Sequence, residues 1–484
     1  MLWCLASPGS EAATAKKVTT GKPSRPAARS RQTRPTLSLD RLPLVEIENA
    51  HQGLEPFLAA LEALEDPARS SAVTPVRVLH FGDSHVTADF WSGELRAALQ
   101  ARFGSAGTGY VMPGRPWKYF RHSLAKSLGG GWTVHGLEHE HRVDFLGLSG
   151  TSLTARPRAR QAGVLTVASD FEIQVGLPDG EGCVRVLLDG EQVFFGELGL
   201  EGSGVAQEPP GTGSQKAVAV ARPLDHEVTA PSPGVMPGVS SVVGQCQALA
   251  FIRNATPLAL TEHLVEVEAS CGGNPVILGM DFASPGAGVI LDTLGINGAE
   301  LERLGRFQPG LRAALLEHSD PRLIIVSYGA NDMTSDTFTR EGYRDATRAI
   351  LAGLRRDAPG AAILVTGPFD RSARRKGPRR ELVKANEGLI VAALREAALA
   401  EGCAFWDARA AMGGENAITT WRAAGLAQRD LVHLTQAGYT KLGRVLFERL
   451  MAAYDEYRAT HPGEPDAGSR TADPGPPAPG GAGG

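Results

Sequence analysis

The sequence lacks any stretch of about 18 consecutive apolar residues, so no membrane-spanning helix is predicted. It is also poor in aromatic residues, at 6% of the chain, and its formal net charge is only −4. No long basic stretch lies beside aromatic residues, which argues against a nucleic-acid scaffold. A neutral or carbohydrate-like partner fits this composition better.

Cysteine is scarce and scattered along the chain. The five cysteines form none of the close pairs that a zinc site needs; they are Cys4, Cys183, Cys246, Cys271 and Cys403. Cys183, Cys246 and Cys271 fall in one β-rich segment. The sequence therefore allows one disulfide there in an exported protein, without assigning its pairing.

The two ends of the chain lack apolar periodicity and are predicted to be disordered. Residues 1–40 are rich in Ser, Thr, Arg, Lys and Pro. They are interpreted either as a truncated signal with a tether or as an ordinary leader, because residues 13–15 resemble the end of a secretory signal. Residues 460–484 form a Pro/Gly tail. A periplasmic or secreted bacterial protein is expected, with a cytoplasmic one as the alternative.

Between these ends, a hydrophobic content of 42% over 484 residues predicts a large core and more than one domain. Residues 41–111 and 288–459 alternate helical and strand patterns, which predicts two parts of one α/β domain with a parallel sheet. Residues 112–287 carry short β-branched runs and Asp-Gly turns, which predicts an inserted β-sandwich. The elements predicted in the α/β parts are helices over 44–64, 89–103, 342–356 and 379–400, and strands over 76–81, 323–327, 362–366 and 403–406.

The first two chemical motifs follow predicted strands. Gly-Asp-Ser ends at Ser84, and ligands of open α/β sheets bind at the carboxyl ends of strands, so Ser84 can present its hydroxyl in a cleft. The second motif, Gly-Ala-Asn-Asp, contains Asn331, whose amide can hold an oxyanion without titrating. Each motif alone is weak, because turns use the same residues for conformational reasons.

The third motif places Asp430 and His433 three residues apart, just before a predicted helix. Asp430 can accept from one imidazole nitrogen of His433 and leave the other free to take a proton from Ser84. The alternative is that Asp430 only stabilises a helix N-terminus. All three motifs are expected at strand ends.

The series Gly-Asp-Ser, Gly-x-Asn-Asp and Asp-x-x-His resembles the SGNH, or GDSL-like, hydrolase family over residues 76–110 and 289–451. The resemblance implies a flavodoxin-like three-layer α/β/α core with a parallel sheet. It also implies a serine esterase with Ser84 as nucleophile and with Asp430 and His433 completing the triad.

The family's glycine block is identified with residues 294–299, and a rival block lies at residues 147–150. By the resemblance, Gly298 then joins the Ser84 amide and the Asn331 side chain in the oxyanion hole. No metal and no organic cofactor is implied.

One histidine and one histidine-rich group have no catalytic role in this interpretation. His85 follows the nucleophile where many family members carry leucine, and it is interpreted as a packing or cleft-lining residue. A second group, His135, Glu138, His139 and His141, lacks a recognised ligand spacing and is interpreted as a solvated strand or loop.

Within the family, the chain is similar to the peptidoglycan O-acetylesterase group, in which a β-sandwich resembling a carbohydrate-binding module separates the serine and glycine blocks. The resemblance implies removal of O-acetyl groups from a cell-envelope glycan, with acetylated peptidoglycan as the expected partner. An O-acetyltransferase stays open, because the triad does not identify the acceptor. A non-catalytic glycan-binding protein is the rival of a different class, and it is disfavoured because every residue of the triad and the oxyanion hole is present.

Overall fold

The computed structural model describes residues 39, 41–66, 74–118, 120–136, 145–156, 161–199, 217–224, 248–269, 273–372 and 377–461. Contacts group the described residues from Leu39 onward into one compact unit. The predicted leader, apart from Leu39, and the predicted tail beyond His461 lie outside these ranges. Within them, no helix combines the length and the apolar character needed to cross a membrane.

The described residues alternate helices and strands at both ends of the unit and form strands alone in its middle. The strands are β1 (Val76–Gly82), β2 (Gly109–Val111), β3 (Ala125–Gly129), β4 (Trp132–His135), β5 (Ser152–Ala155), β6 (Ala162–Ala168), β7 (Asp170–Leu177), β8 (Glu181–Leu188), β9 (Glu191–Gly199), β10 (Ala217–Pro223), β11 (Ala248–Asn254), β12 (Thr261–Glu268), β13 (Val276–Ala283), β14 (Val289–Gly295), β15 (Pro321–Ser327), β16 (Ala362–Thr366) and β17 (Ala404–Trp406). The α-helices are α1 (Ala50–Gly53), α2 (Glu55–Glu65), α3 (Ser84–Thr87), α4 (Trp91–Phe103), α5 (Pro309–Ser319), α6 (Arg340–Asp357), α7 (Pro378–Ala400), α8 (Ala408–Met412), α9 (Ala417–Ala423) and α10 (Gln436–Thr460). Short 3₁₀ helices, Leu301–Gly305 and Asp332–Thr334, follow β14 and β15.

Five strands form a parallel sheet in the order β14-β1-β15-β16-β17. Counted along the chain, this is the 2-1-3-4-5 order of a flavodoxin-like sheet. Gly82, the last residue of β1, pairs with Gly295 of β14 on one side and with Ser327 of β15 on the other. The loops that follow these three strands therefore begin side by side at the carboxyl edge of the sheet.

Alternate residues of the parallel sheet face two separate layers of helices. Leu79 and Phe81 of β1 belong to the same hydrophobic cluster as Leu351 of α6 and Leu394 of α7. Val78, which points the opposite way, is also fully buried, on the side where α2 contacts the sheet and α10 packs on α4. The predicted three-layer α/β/α core is confirmed.

The middle of the chain builds two antiparallel sheets. One has the order β10-β11-β7-β13-β5-β4, with β2 also paired to β13, and the other has the order β3-β6-β12-β8-β9. Ile173 and Ile252 of the first sheet share one hydrophobic cluster with Val164 and Val186 of the second. The predicted β-rich insert is confirmed, while its exact limits stay a prediction. β2 already begins at Gly109, slightly before the predicted start of the insert.

The helix predicted over residues 44–64 is wrong in its first part, because only α1 and α2 are helical there. The residues before α1 run along the open edge of the parallel sheet. Glu48 bridges to Phe405, and the Trp406 indole donates to the Val45 carbonyl, 361 residues away in the chain. Apolar periodicity cannot reveal a pairing at that separation. The sequence analysis also missed β14 and α5.

A buried ion pair fixes the start of α4 against β14. The Asp89 and Arg96 side chains meet at 2.9 Å and are essentially inaccessible to solvent, and Arg96 also donates to the Leu291 carbonyl at 2.8 Å. Burial alone would raise the pKa of Asp89, but the Arg96 charge and hydrogen bonds outweigh it and hold that pKa below its usual value. The pair therefore stabilises the fold above the usual pKa of an aspartate, and this contribution is lost as the pH falls.

We predict that Arg96→Met lowers the free energy of unfolding by about 3 to 5 kcal/mol near neutral pH, because Asp89 stays buried without its partner. The loss should shrink in acid, where Asp89 of the variant takes up a proton. Urea unfolding at neutral and acid pH measures both effects. Arg322→Met, which removes an exposed pair with Asp320, should cost less than about 1 kcal/mol. Equal losses for the two variants would contradict the prediction.

Candidate active site

Ser84 lies at the carboxyl edge of the parallel sheet, just after β1 ends. Asp83 caps α3, since its Oδ1 accepts from the His85 backbone N–H at 2.9 Å. Ser84 is thus the first residue of a short helix that the sequence analysis, with its helix predicted over 89–103, did not predict. Its Oγ lies 2.9 Å from His433 Nε2, so the hydroxyl points toward the third motif.

His433 is held between Ser84 and Asp430. His433 Nδ1 lies 2.7 Å from Asp430 Oδ2. With the proton on Nδ1, His433 donates to Asp430, and its Nε2 accepts from the Ser84 hydroxyl. Burial alone would raise the pKa of Asp430, but hydrogen bonds from the His433 ring and from the amides of Val432 and His433 lower it below its usual value. Asp430 is therefore ionised wherever a histidine can act as a base.

The loop that carries Asp430 and His433 follows α9, so the expectation that this motif follows a strand is wrong. Leu431 has a φ of +60°, a left-handed conformation that costs a non-glycine residue about 1 to 2 kcal/mol. Asp430 Oδ1 accepts from Val432 N at 2.9 Å and from His433 N at 3.0 Å. Ser372 N donates to the Leu431 carbonyl at 2.8 Å. These hydrogen bonds hold the turn that presents His433 to Ser84.

Asn331 and Gly298 lie in the loops after β15 and β14. Asn331 Nδ2 donates to the Ala299 carbonyl at 2.9 Å, and its other amide hydrogen has no partner among the described residues. Ile296 N donates to the Gly82 carbonyl at 2.9 Å. Gly298 lies between Ile296 and Ala299, the two residues that make these hydrogen bonds. It is exposed and has a φ of +74°, a conformation that favours glycine. The loops after β1, β14 and β15 are thus joined into one unit.

The rival glycine block, residues 147–150, belongs to the insert. A Cβ on Gly147 would collide with the Leu278 carbonyl of β13, and a Cβ on Gly150 would meet the Ile296 side chain. Gly147 thus allows close packing on β13, and Gly150 allows close packing of the insert on the loop of Gly298.

Two buried carboxyl groups beside the motifs were not assigned a role from the sequence. Asp83 and Asp332 are both buried, and burial raises the pKa of each to about 7. Asp332 Oδ1 accepts from Leu301 N at 3.3 Å, which joins the turn of Asn331 to the 3₁₀ helix that follows the Gly298 loop. The only sequence feature that singles out these two aspartates is that they belong to the motifs. The spacing of residues along the chain does not show that their side chains are buried.

His85 packs behind the catalytic candidates, which agrees with its interpretation as a packing residue. Its ring is buried against Phe369, with centroids 4.8 Å apart, and its Nδ1 lies 2.8 Å from the Tyr439 hydroxyl. The ring centroid lies 5.4 Å from that of His433. Burial, together with the nearby His433 and Arg371, lowers the pKa of His85 well below its usual value.

Within the described ranges, no group of three or more His, Cys, Asp or Glu side chains is arranged to hold a metal ion. His135 ends β4, and its Nε2 lies 2.7 Å from Thr154 Oγ1. Glu138, His139 and His141 lie outside the described ranges.

A Ser–His–Asp chain at the carboxyl edge of a parallel sheet is the arrangement of a serine hydrolase. Residues 267–441 match the model of the GDSL-like Lipase/Acylhydrolase family. The matched stretch contains Gly298, Asn331, Asp430 and His433, whereas Ser84 precedes it and reaches the site through the pairing of β1 with β14 and β15. Residues 267–441 thus form a domain of the SGNH, or GDSL-like, hydrolase family, a family of carboxylic ester hydrolases.

Three solved structures were compared with this chain. A structure of a peptidoglycan O-acetylesterase is 20% identical, covers 83% of this chain and 96% of its own, and superimposes with a TM-score of 0.61, which shows a shared fold. A catalytic mutant of an acetylxylan esterase from Geobacillus stearothermophilus is 18% identical over 34% of this chain and 73% of its own, with a TM-score of 0.25. A lipase/acylhydrolase from Enterococcus faecalis is 18% identical over 35% and 77%, also with a TM-score of 0.25. The last two scores are too low to support an inference. No curated protein matches the sequence.

Proposed function

We propose that the protein is a serine esterase that removes O-acetyl groups from a cell-envelope glycan, with peptidoglycan as the expected polymer. The observation that carries the proposal is the hydrogen-bonded chain from Ser84 Oγ to His433, at 2.9 Å, and from His433 to Asp430, at 2.7 Å. These distances suit a nucleophile beside a base and a base beside the acid that orients it.

In the proposed reaction, Ser84 Oγ attacks the acetyl carbonyl carbon while its proton passes to His433 Nε2. Asp430 stabilises the imidazolium that forms. The tetrahedral intermediate then expels the sugar oxygen, which takes the proton from His433, and leaves an acetyl group on Ser84. A water molecule attacks this ester and gives a proton to His433, and the second tetrahedral intermediate releases acetate as Ser84 Oγ takes that proton from His433.

The negative oxygen of each tetrahedral intermediate needs donors, and we assign them to the Ser84 N–H, the Gly298 N–H and Asn331 Nδ2. Asn331 is suited to this part because one of its amide hydrogens is already anchored to Ala299. An anchored donor needs little reorganisation during the reaction, and losing one such donor typically costs about 3 to 4 kcal/mol of transition-state stabilisation.

A polymeric substrate is supported by the openness of the site. The His433 and Asp430 side chains are 34% and 44% exposed, so an ester on a large hydrophilic chain can approach them. The similarity to the solved peptidoglycan O-acetylesterase covers 83% of this chain, which is more than the α/β parts alone and so includes the insert. This shared architecture favours an acetylated glycan over a lipid ester.

Export is supported by cysteine chemistry. Cys183 is disulfide-bonded, whereas Cys403 is a buried free thiol. Disulfides persist mainly in oxidising compartments such as the bacterial periplasm. We therefore place the protein outside the cytoplasm, where the proposed glycan is found.

The proposal predicts acetate release from O-acetylated peptidoglycan and none from the same polymer after mild alkali has removed its O-acetyl groups. Acetate is measured with time for the wild type and for Ser84→Ala. The alkali-treated polymer is a matched control because it keeps its N-acetyl groups. Acetate from that control would point to an amidase and would contradict the proposal.

The O-acetyltransferase alternative is separated in the same assay by adding an excess of soluble chito-oligosaccharide. A hydrolase gives the same acetate yield with or without this acceptor. A transferase gives less acetate and a sugar that carries an additional acetyl group, which mass spectrometry detects. The triad serves either reaction, so the acceptor decides between them.

A further inference from the structure

One short segment contacts both halves of the proposed active site. We call residues 367–372 the bridging segment, residues 328–331 the oxyanion turn and residues 430–433 the acid–base loop. The bridging segment leaves the carboxyl end of β16, which lies beside β15 in the sheet. It therefore starts next to the strand that carries the oxyanion turn.

On one side, the bridging segment holds the oxyanion turn. The Arg371 guanidinium donates to the carbonyl of Ala330, the residue before Asn331. Pro368 packs against Gly329, which has a φ of +113°, so closely that a Cβ on this glycine would lie 3.2 Å from Pro368 Cγ. The backbone that leads into Asn331 is thus fixed from outside its own loop.

On the other side, the bridging segment holds the acid–base loop. The Ser372 backbone N–H donates at 2.8 Å to the carbonyl of Leu431, the residue with the left-handed backbone. Phe369 packs edge-on against His85, whose ring in turn contacts that of His433. The segment thus touches the loop through its backbone and supports the His433 ring through His85.

Packing alone does not explain Arg371. The residue is only 7% exposed, and burying a guanidinium is unfavourable unless its charge and donors are used. Its charge lowers the pKa of His85 and partly opposes the increase that burial causes in the pKa of Asp83, which places it near both the nucleophile's helix cap and the support of His433. An apolar side chain could fill the same space, but it could not hold the Ala330 carbonyl.

We propose that Arg371 and the Ser372 amide form a positioning pair that keeps the oxyanion turn and the acid–base loop in fixed relation to each other. The pair touches no substrate, and the inference rests on the proposed roles of Asn331 and His433. A shift of about 1 Å between a base and an oxyanion donor can cost on the order of 10²-fold in rate.

The first test compares Arg371→Met with Arg312→Met. Arg312 is also buried and also donates to a backbone carbonyl, that of Leu304 at 2.8 Å, but it pairs with Asp357 of α6. Both variants should lose stability. Only Arg371→Met should lower kcat per folded molecule, by on the order of 10²-fold with KM changed by less than about twofold, because orientation rather than binding is lost. Arg371→Lys, which restores a donor and the charge, should recover part of kcat. Wild-type kcat in both Arg371 variants would overturn the proposal.

The second test removes the backbone hydrogen bond of the pair. Ser372→Pro deletes the N–H that Leu431 accepts, whereas Ser372→Ala keeps it. We expect the proline variant to lower kcat and the alanine variant to leave it unchanged. Equal kcat values for the two variants would contradict a role for the amide.

A readout that does not depend on turnover separates this inference from the proposed function. The proton that His433 Nδ1 shares with Asp430 should give a low-field resonance in the proton NMR spectrum of the intact protein. The positioning pair predicts that this resonance shifts or broadens in Arg371→Met and Ser372→Pro but not in Arg312→Met. An unchanged resonance would overturn the inference. If Ser84→Ala kept its turnover, the proposed function would fail, while this comparison would still decide the inference.

Discussion

Replacing Ser84 with alanine should lower kcat for p-nitrophenyl acetate by about 10⁴- to 10⁶-fold, because the variant cannot form an acyl-enzyme. The residual rate would come from the proposed oxyanion donors at Gly298 and Asn331 and from substrate binding, which the substitution leaves in place. A fluorophosphonate probe gives a second measurement. It should add one covalent group to the wild type and none to Ser84→Ala, as read by intact-protein mass spectrometry.

Ser319→Ala is the matched control for this prediction. Ser319 ends α5, just before β15 begins at Pro321, so it lies at the opposite edge of the parallel sheet from Ser84. Its hydroxyl donates to the Leu316 carbonyl at 3.2 Å, so this variant also loses one serine hydrogen bond. Wild-type activity is expected. Turnover by Ser84→Ala at the wild-type rate would show that another residue is the nucleophile, and the glycan-binding alternative would gain.

The parts of the fold that the sequence predicted well are those with strong local patterns. The strands 76–81, 323–327 and 362–366 lie within or coincide with β1, β15 and β16, because parallel strands buried on both faces give short continuous apolar runs. The predicted helices 342–356 and 379–400 likewise match α6 and α7 with small differences at their ends. These elements are enough to specify the α/β core.

The elements that sequence analysis missed depend on distant partners. β14 lies in the segment predicted as α/β, residues 288–459, but no strand was predicted there, and its membership of the parallel sheet follows only from its pairing with β1. The edge segment before α1 owes its extended form to Phe405 and Trp406. In both cases the partner strand is too far away in the sequence to affect the local pattern of apolar residues.

The insert places the first motif far from the other two in sequence. It separates Ser84 from Gly298 by more than 200 positions, and the family match begins only at residue 267. In the sheet this separation disappears, because β14 and β15 flank β1 on its two sides. The insertion at the end of the β1–α4 unit thus leaves the order of the parallel strands unchanged.

The supporting residues of the site were not predicted, for a different reason. Arg371, Asp83 and Asp332 act through burial and through hydrogen bonds to backbone atoms. Backbone contacts leave no pattern of spacing, since any residue supplies the carbonyl or the amide. The left-handed backbone of Leu431 could not be predicted either, because a leucine does not favour that conformation.

Asp430→Asn should lower kcat by about 10⁴-fold while the loop keeps its shape. The oxygen of the substituted side chain can still accept from the amides of Val432 and His433, as Asp430 Oδ1 does at 2.9 and 3.0 Å. The new NH₂ group, however, would face His433 Nδ1 where Asp430 Oδ2 now lies at 2.7 Å. Two donors cannot share that contact, so the proton moves to Nε2, and His433 can no longer take the proton of Ser84.

Asp189→Asn provides the matched control, because Asp189 forms a similar pair in the insert. It lies 2.8 Å from His263 Nδ1 and accepts from the Leu264 amide at 2.8 Å. The same chemical change should therefore leave kcat unaltered there. The double variant Ser84→Ala/Asp430→Asn should be no slower than Ser84→Ala alone, because the members of a triad act as one unit. Additive losses in the double variant would mean that Asp430 acts independently of Ser84, and an unchanged kcat in Asp430→Asn would mean that solvent orients the catalytic histidine without it.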